Sequence, residues 1–63
     1  MKLSREKVNL QMARKCWSIS DLANAYGVSR ARMNTILGQR ELSVMSAGRL
    51  SKALGVDVTE IIE

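Results

Sequence analysis

The segment LANAYGVSRARMNTI, residues 22–36, holds two helical patterns joined by a very short turn. The first pattern stops at Gly27, a residue that readily adopts the positive φ with which many helices end. The second begins behind Ser29, whose hydroxyl can accept hydrogen bonds from the free N–H groups of a helix N-terminus. The pattern therefore predicts two short helices, at about residues 19–26 and 30–37.

Apolar residues recur at helical spacing on both sides of this turn. They are Leu22, Ala23 and Tyr26 in the first helix, Val28 in the turn, and Met33, Ile36 and Leu37 in the second. A small residue at Ala23 lets the second helix cross closely over the first, and Gly27 permits the sharp turn. The spacing matches a helix-turn-helix motif. The alternative is an αα-corner in a helical domain that has no role in DNA binding.

Serines mark the starts of the helices on the N-terminal side. A first helix is predicted from behind Ser4 to about residue 15, with Val8, Met12 and Cys16 on one apolar stripe. Ser18 and the carboxylate three residues later form a capping-box pattern ahead of the second helix. We interpret Trp17, just before this cap, as a hydrophobic staple.

The C-terminal part of the chain continues the helical pattern. A fourth helix is predicted behind Ser43 and is ended by Gly55. Its apolar positions are Val44, Ala47, Leu50 and Leu54. The sequence DVTE, residues 57–60, repeats the capping-box pattern and predicts one or two closing turns. No segment reads as a strand, so the chain is predicted to form one all-α domain of about five helices over residues 1–63.

The charge balance favours an anionic partner. Ten Lys and Arg residues against six Asp and Glu give a net charge of +4 in 63 residues. Residues 30–40 carry three arginines and no acid, whereas residues 53–63 carry three acids and no base. A basic face on the second helix of the motif would orient the domain on a nucleic acid duplex.

The residue types that are missing exclude several kinds of site. Cys16 is the only cysteine and there is no histidine, so we expect no internal disulfide, metal site or Cys/His pair. Free cysteine is among the most buried residue types, which predicts that Cys16 is an ordinary packing residue. No apolar run approaches the roughly 18 residues of a membrane span, and the start MKLSREKV lacks the apolar core of a signal peptide. We expect a cytoplasmic protein of a bacterium or phage, without cofactor, membrane or small-molecule ligand.

Two longer stretches resemble the phage-repressor and Cro-type helix-turn-helix domain, often called XRE-type. They are WSISDLANAYGVSRARMNTILGQRELS, residues 17–43, and LSKALGVDVTEII, residues 50–62. The marks are GVS at the entry of the recognition helix, the Gly-bounded loop GQREL, and KALGV before a short last helix. The resemblance implies a compact five-helix bundle that binds double-stranded DNA, usually as a homodimer with two-fold symmetry, with the third helix in the major groove.

Two departures from the family pattern stand out. Ile19 occupies a position where relatives often place a Gln that contacts a phosphate, so this one DNA contact is not expected here. Met12 and Leu37 occupy positions where many relatives hold an Arg–Glu pair. Because replacing a buried ion pair by packed apolar side chains is often neutral or stabilising, we expect the fold to be retained.

The resemblance also implies which residues contact base edges. By residue-by-residue analogy they are Ser29, Arg30, Ala31, Asn34 and Thr35. Arg30 can donate two hydrogen bonds to the O6 and N7 atoms of guanine, Ala31 can contact a thymine methyl, and Asn34 can pair with adenine. The hydroxyl groups of Ser29 and Thr35 can donate or accept hydrogen bonds.

A second set of residues is expected to contact phosphates. They are Ser18, Ser20, Arg32, Gln39, Arg40 and Ser43. Ser18 and Ser20 lie at the start of the second helix, where free N–H groups and the helix dipole favour an anion. Arg32 lies nearer the flank of the recognition helix, and the remaining residues follow that helix. Such contacts position a protein on DNA without reading its sequence.

The leading interpretation is a sequence-specific transcription regulator, a repressor that covers a pseudo-palindromic operator. The alternative is a protein-interaction module, such as an antitoxin-like or adaptor subunit, if the apolar residues expected on the surface form one patch. Those residues are Leu3, Leu10, Met45 and Ile62. An enzyme is disfavoured because there is no histidine and no Gly-rich phosphate loop, and Asp57 and Glu60 are explained as caps.

Overall fold

Four α-helices and one 3-10 turn form the protein in a computed structural model that describes all of residues 1–63. The helices are α1 (Arg5–Lys15), α2 (Ile19–Tyr26), α3 (Arg30–Gly38) and α4 (Val44–Leu54), and the 3-10 turn spans Val58–Glu60. Helix α2 packs on both α3 and α4, and the 3-10 turn packs on α4. The predicted all-α fold is confirmed.

A serine caps the N-terminus of every α-helix. Ser4, Ser18, Ser29 and Ser43 each accept a hydrogen bond from the backbone N–H three residues further on. At α2 the capping box is complete, because the carboxylate of Asp21 in turn accepts a hydrogen bond from the Ser18 N–H at 2.8 Å. Caps of this kind satisfy N–H groups that a helix leaves free at its start. All four predicted helix starts are confirmed.

The turn between α2 and α3 has the geometry that its glycine predicts. Gly27 is left-handed, with φ 91° and ψ 32°, and its N–H donates to the carbonyl of Ala23 at 2.8 Å. The N–H of Val28 donates to the same carbonyl at 3.0 Å. Val28 is half-buried and packs against the core, so the turn is anchored by its side chain and by two backbone hydrogen bonds.

The core is built from all four helices and the C-terminal segment. Its fully buried members include Val8, Leu22, Met33, Leu50, Leu54 and Ile61. Met12 and Leu37 also belong to this cluster. The two positions at which family members often carry an ion pair therefore hold packed apolar side chains here, as expected from the sequence.

The predicted fifth helix is only a 3-10 turn. Asp57 accepts hydrogen bonds from the side chain and backbone N–H of Thr59, which lower the pKa of the Asp57 carboxyl. The Glu60 side chain does not complete a capping box, and the Glu60 N–H donates to the Asp57 carbonyl at 2.9 Å. Behind this turn Ile61 enters the core, and Ile62 forms an isolated β-bridge with Leu3.

Two predicted core positions are exposed. Cys16 ends α1 in a left-handed conformation, with φ 57°, so the helical spacing from Val8 and Met12 no longer applies to its side chain. Val44 is the first residue of α4 and is 74% exposed, whereas Ala47, Leu50 and Leu54 at the same helical spacing are fully buried. Helix α3 also includes Gly38, one residue beyond its predicted end.

The N-terminal segment connects the loop behind α3 with the C-terminus. Leu3 donates its N–H to the Arg40 carbonyl at 2.9 Å, and the Ser4 N–H donates to the Ile61 carbonyl at 2.8 Å. Leu3 is only 6% exposed as a result, and Ile62 is half-buried. The expectation that both residues lie on the surface is therefore wrong for Leu3 and only partly right for Ile62.

A pair of glycine substitutions tests the turn. We expect Gly27→Ala to destabilise the protein by about 1–2 kcal/mol, because a Cβ is unfavourable in the left-handed region. Gly48→Ala is its matched control: it lies inside α4 with no atom within 4 Å of the added Cβ, and should stabilise the fold by about 1 kcal/mol. Urea unfolding followed by circular dichroism measures both changes. Equal shifts in the same direction would contradict the assigned conformation of Gly27.

Candidate nucleic-acid interface

Helix α3 has a buried face and an exposed face. Met33, Ile36 and Leu37 are buried in the core and fix the helix in place. The opposite side is formed by Ser29, Arg30, Ala31, Asn34 and Thr35, all of them exposed, and we call this set the recognition face. The structure thus brings together all five residues that the sequence predicts at base edges. It leaves them uncovered by any other part of the chain.

The hydroxyl groups of the recognition face have defined hydrogen-bonding roles. Ser29 Oγ accepts from the Arg32 N–H at 3.1 Å, which leaves its own proton free to donate. Thr35 Oγ1 donates to the Ala31 carbonyl at 3.2 Å, so it offers a ligand its oxygen lone pairs and its methyl group. The sequence leaves both roles open, whereas this geometry makes Ser29 a donor and Thr35 an acceptor.

The arginines around this face have no acidic partner within the chain. The one ion pair in the structure joins the Met1 ammonium to Glu41 at 3.2 Å. Arg30 and Arg32 on α3, and Arg40 in the loop behind it, are exposed and free of carboxylates. Uncompensated positive charge on one surface attracts a polyanion and raises its local concentration.

The N-terminus of α2 is partly occupied by its own cap. Both the N–H and the hydroxyl of Ser18 donate to the Asp21 carboxylate, at 2.8 and 3.1 Å. Those donors are therefore engaged, and a carboxylate lies where an anion would bind. Ser20 is exposed and its hydroxyl has no partner within the chain, so it is the better placed of the two predicted phosphate contacts.

The loop from Gln39 to Ser43 is held by the N-terminal segment. The Met1 ammonium donates to the Leu42 carbonyl at 2.9 Å as well as to Glu41. Gln39, Arg40 and Ser43 are all exposed on this loop. Its conformation is thereby fixed next to the C-terminal end of α3.

Glu41 is a relevant residue that the sequence analysis does not single out. It lies between two predicted phosphate contacts, Arg40 and Ser43, where a free carboxylate would repel a phosphate. Its pairing with the Met1 ammonium balances that charge. The two residues are 40 positions apart, so no local pattern in the sequence announces the contact.

Only two of the four apolar residues expected to form a protein-binding patch are exposed. Leu3 is buried and Ile62 is half-buried. Leu10 on α1 is 55% exposed and Met45 on α4 is 85% exposed. Met45 lines a shallow groove with Gly48, Arg49 and Lys52, and Leu10 takes no part in it.

No helix combines the length and apolar character needed to cross a bilayer. No three side chains among Cys, Asp and Glu converge in a way that could hold a metal ion.

The chain matches a known family over nearly its whole length. Residues 7–63 match the family model of the Cro/C1-type HTH DNA-binding domain. No curated protein and no solved structure matches the chain significantly. The family match includes the turn at Gly27, the recognition face and α4, and it confirms the resemblance drawn from the sequence. The protein therefore belongs to the Cro/C1-type helix-turn-helix family and is a DNA-binding protein.

Proposed function

We propose that the protein is a sequence-specific transcription regulator that inserts α3 into the major groove of double-stranded DNA and represses by covering an operator. The observation that carries this proposal is the recognition face: five exposed residues on a helix whose opposite side is fixed in the core. An α-helix fits the major groove, where each base pair presents a distinct pattern of donors and acceptors.

Each position of the recognition face supplies a different chemistry for reading bases. Arg30 presents a guanidinium that can donate to both O6 and N7 of guanine, and Asn34 can pair with N6 and N7 of adenine. Ala31 fits a thymine methyl group. Ser29 donates to an acceptor such as guanine O6, and Thr35 accepts from an amino group such as cytosine N4.

Phosphate contacts hold the helix in register on both sides. Ser20 at the start of α2, rather than the engaged Ser18, contacts one phosphate strand, and Arg32 reaches the backbone from the flank of α3. Gln39, Arg40 and Ser43 complete the clamp from the following loop and the start of α4. These contacts supply affinity that depends on salt but carries no sequence information.

A homodimer accounts best for binding to one specific operator. One recognition helix reads only a few base pairs, and a two-fold dimer doubles the site by reading a pseudo-palindromic operator. Its half-sites would then be separated by one helical turn, about 34–36 Å. The protein would act in the cytoplasm of a bacterium, where chromosomal and phage DNA are both accessible.

Selection of bound fragments from random duplex DNA identifies the operator, and binding of the variants is then measured on that sequence. Enrichment of one two-fold symmetric sequence is the expected result. Recovery of unrelated sequences would contradict sequence-specific binding.

Arg30→Ala should weaken binding to the selected operator by about 1–3 kcal/mol per half-site and relax the preference for one guanine in each half-site. Fluorescence anisotropy with operators altered at single base pairs measures both effects. Arg14→Ala on α1 is the matched control, because it removes the same charge from an exposed position outside the interface. If both variants lose equal affinity and keep the same base preference, Arg30 does not read bases.

The salt dependence of binding tests the phosphate clamp. If a dimer neutralises about 6–10 phosphates, the slope of log K against log salt concentration should lie near −5 to −9. Arg40→Ala removes one phosphate contact from each subunit of the dimer, so it should make that slope less steep by about 2 while leaving the base preference unchanged. Titrations at several salt concentrations give both numbers, and a slope near zero for the unaltered protein is incompatible with the clamp.

A further inference from the structure

The positively charged group at the C-terminal end of α2 belongs to a residue of another helix, α4. A helix leaves its last carbonyls without partners inside the helix, and α2 has no basic residue in its last turn. Arg49 of α4 supplies one: its Nη2 atom donates to the Tyr26 carbonyl at 2.9 Å. The guanidinium also lies over the Tyr26 ring, 4.4 Å from the ring centroid. Arg49 thus makes two contacts with Tyr26: one hydrogen bond to its carbonyl, and a cation–π contact of the guanidinium with its ring. Lysine cannot reproduce this combination.

These contacts lie at the corner from which α3 departs. Tyr26 is buried and directly precedes the left-handed Gly27, and α3 begins at Arg30. A Cβ placed on Gly27 would lie 3.4 Å from Arg49 Nη2, so the guanidinium is also adjacent to the turn itself. The direction in which the chain leaves this corner determines where Ser29 and Arg30 point.

We propose that Arg49 is a positioning residue for specific DNA binding: it fixes the corner between α2 and α3 and so aims the recognition face at the base edges. This inference rests on the function proposed above. Hydrogen bonds to bases require side chains to be held within about 0.5 Å of their productive positions, and residues outside the contact surface supply that support. Attraction between an arginine and a phosphate tolerates more movement, so a loosened corner weakens base contacts more than phosphate contacts.

Arg49→Lys is the decisive variant because it keeps the charge and removes both special contacts. We expect its affinity for the selected operator to fall about tenfold, comparable to the loss of one hydrogen bond to a charged group. Its affinity for DNA of unrelated sequence and its salt slope should remain those of the unaltered protein. Lys52→Arg is the matched control on the same helix: it also keeps the charge, the Lys52 side chain makes no hydrogen bond to α2, and it should keep the ratio of specific to non-specific affinity within about twofold.

The measurements separate this inference from its alternatives. Thermal unfolding of each variant gives a temperature at which all of them are folded, so that binding is compared between folded proteins. A purely structural role would lower the stability of Arg49→Lys without changing the affinity ratio, and this result would overturn the inference. A direct phosphate contact by Arg49 would appear in Arg49→Met as a salt slope less steep by about 2, one contact per subunit, with an unchanged ratio of specific to non-specific affinity, and this would also overturn the inference. If the unaltered protein shows no sequence preference, it is the proposed function that fails.

Discussion

Gly27 adopts a left-handed conformation, and the placement of α3 depends on it. Its N–H closes the end of α2 on the Ala23 carbonyl, and only two residues later Ser29 caps the start of α3. A chain that had to avoid positive φ would need a longer connection at this point, because most residues are disfavoured there. The sharp turn lets Met33 on the inner side of α3 reach the core while the outer side stays exposed.

The features that local chemistry determines could be predicted from the sequence. Serine caps mark all four helix starts, and the apolar spacing in α3 separates its buried face from its exposed face. The errors occur where a distant part of the chain decides the outcome. Leu3 is buried because Ile62, near the other end of the chain, pairs with it, and Val44 is exposed at the first position of α4 although it shares the apolar spacing of that helix. Cys16 differs, since an unforeseen left-handed residue ends α1 there.

The same division between local and distant contacts applies to the interface. The residues of the recognition face could be assigned from helical spacing and from the resemblance to the family. The contacts that hold these residues in place could not be predicted, because they join residues that are far apart in the sequence. The Met1 ammonium balances Glu41 in the loop behind α3, and Arg49 hydrogen-bonds the last carbonyl of α2. Family membership establishes DNA binding, whereas the roles proposed for individual residues follow from these contacts and from the chemistry of base edges.

The most direct test of the account is a titration of the ¹⁵N-labelled protein with its selected operator, followed by amide chemical shifts. The account predicts that the largest shift changes fall on the residues from Ser29 to Thr35, with smaller ones at Ser20 and Arg40. Lys52 on the outer side of α4 should change least. If the largest changes instead fall along α4 at Met45 and Lys52, while α3 stays unperturbed, the recognition face is not the surface that meets DNA.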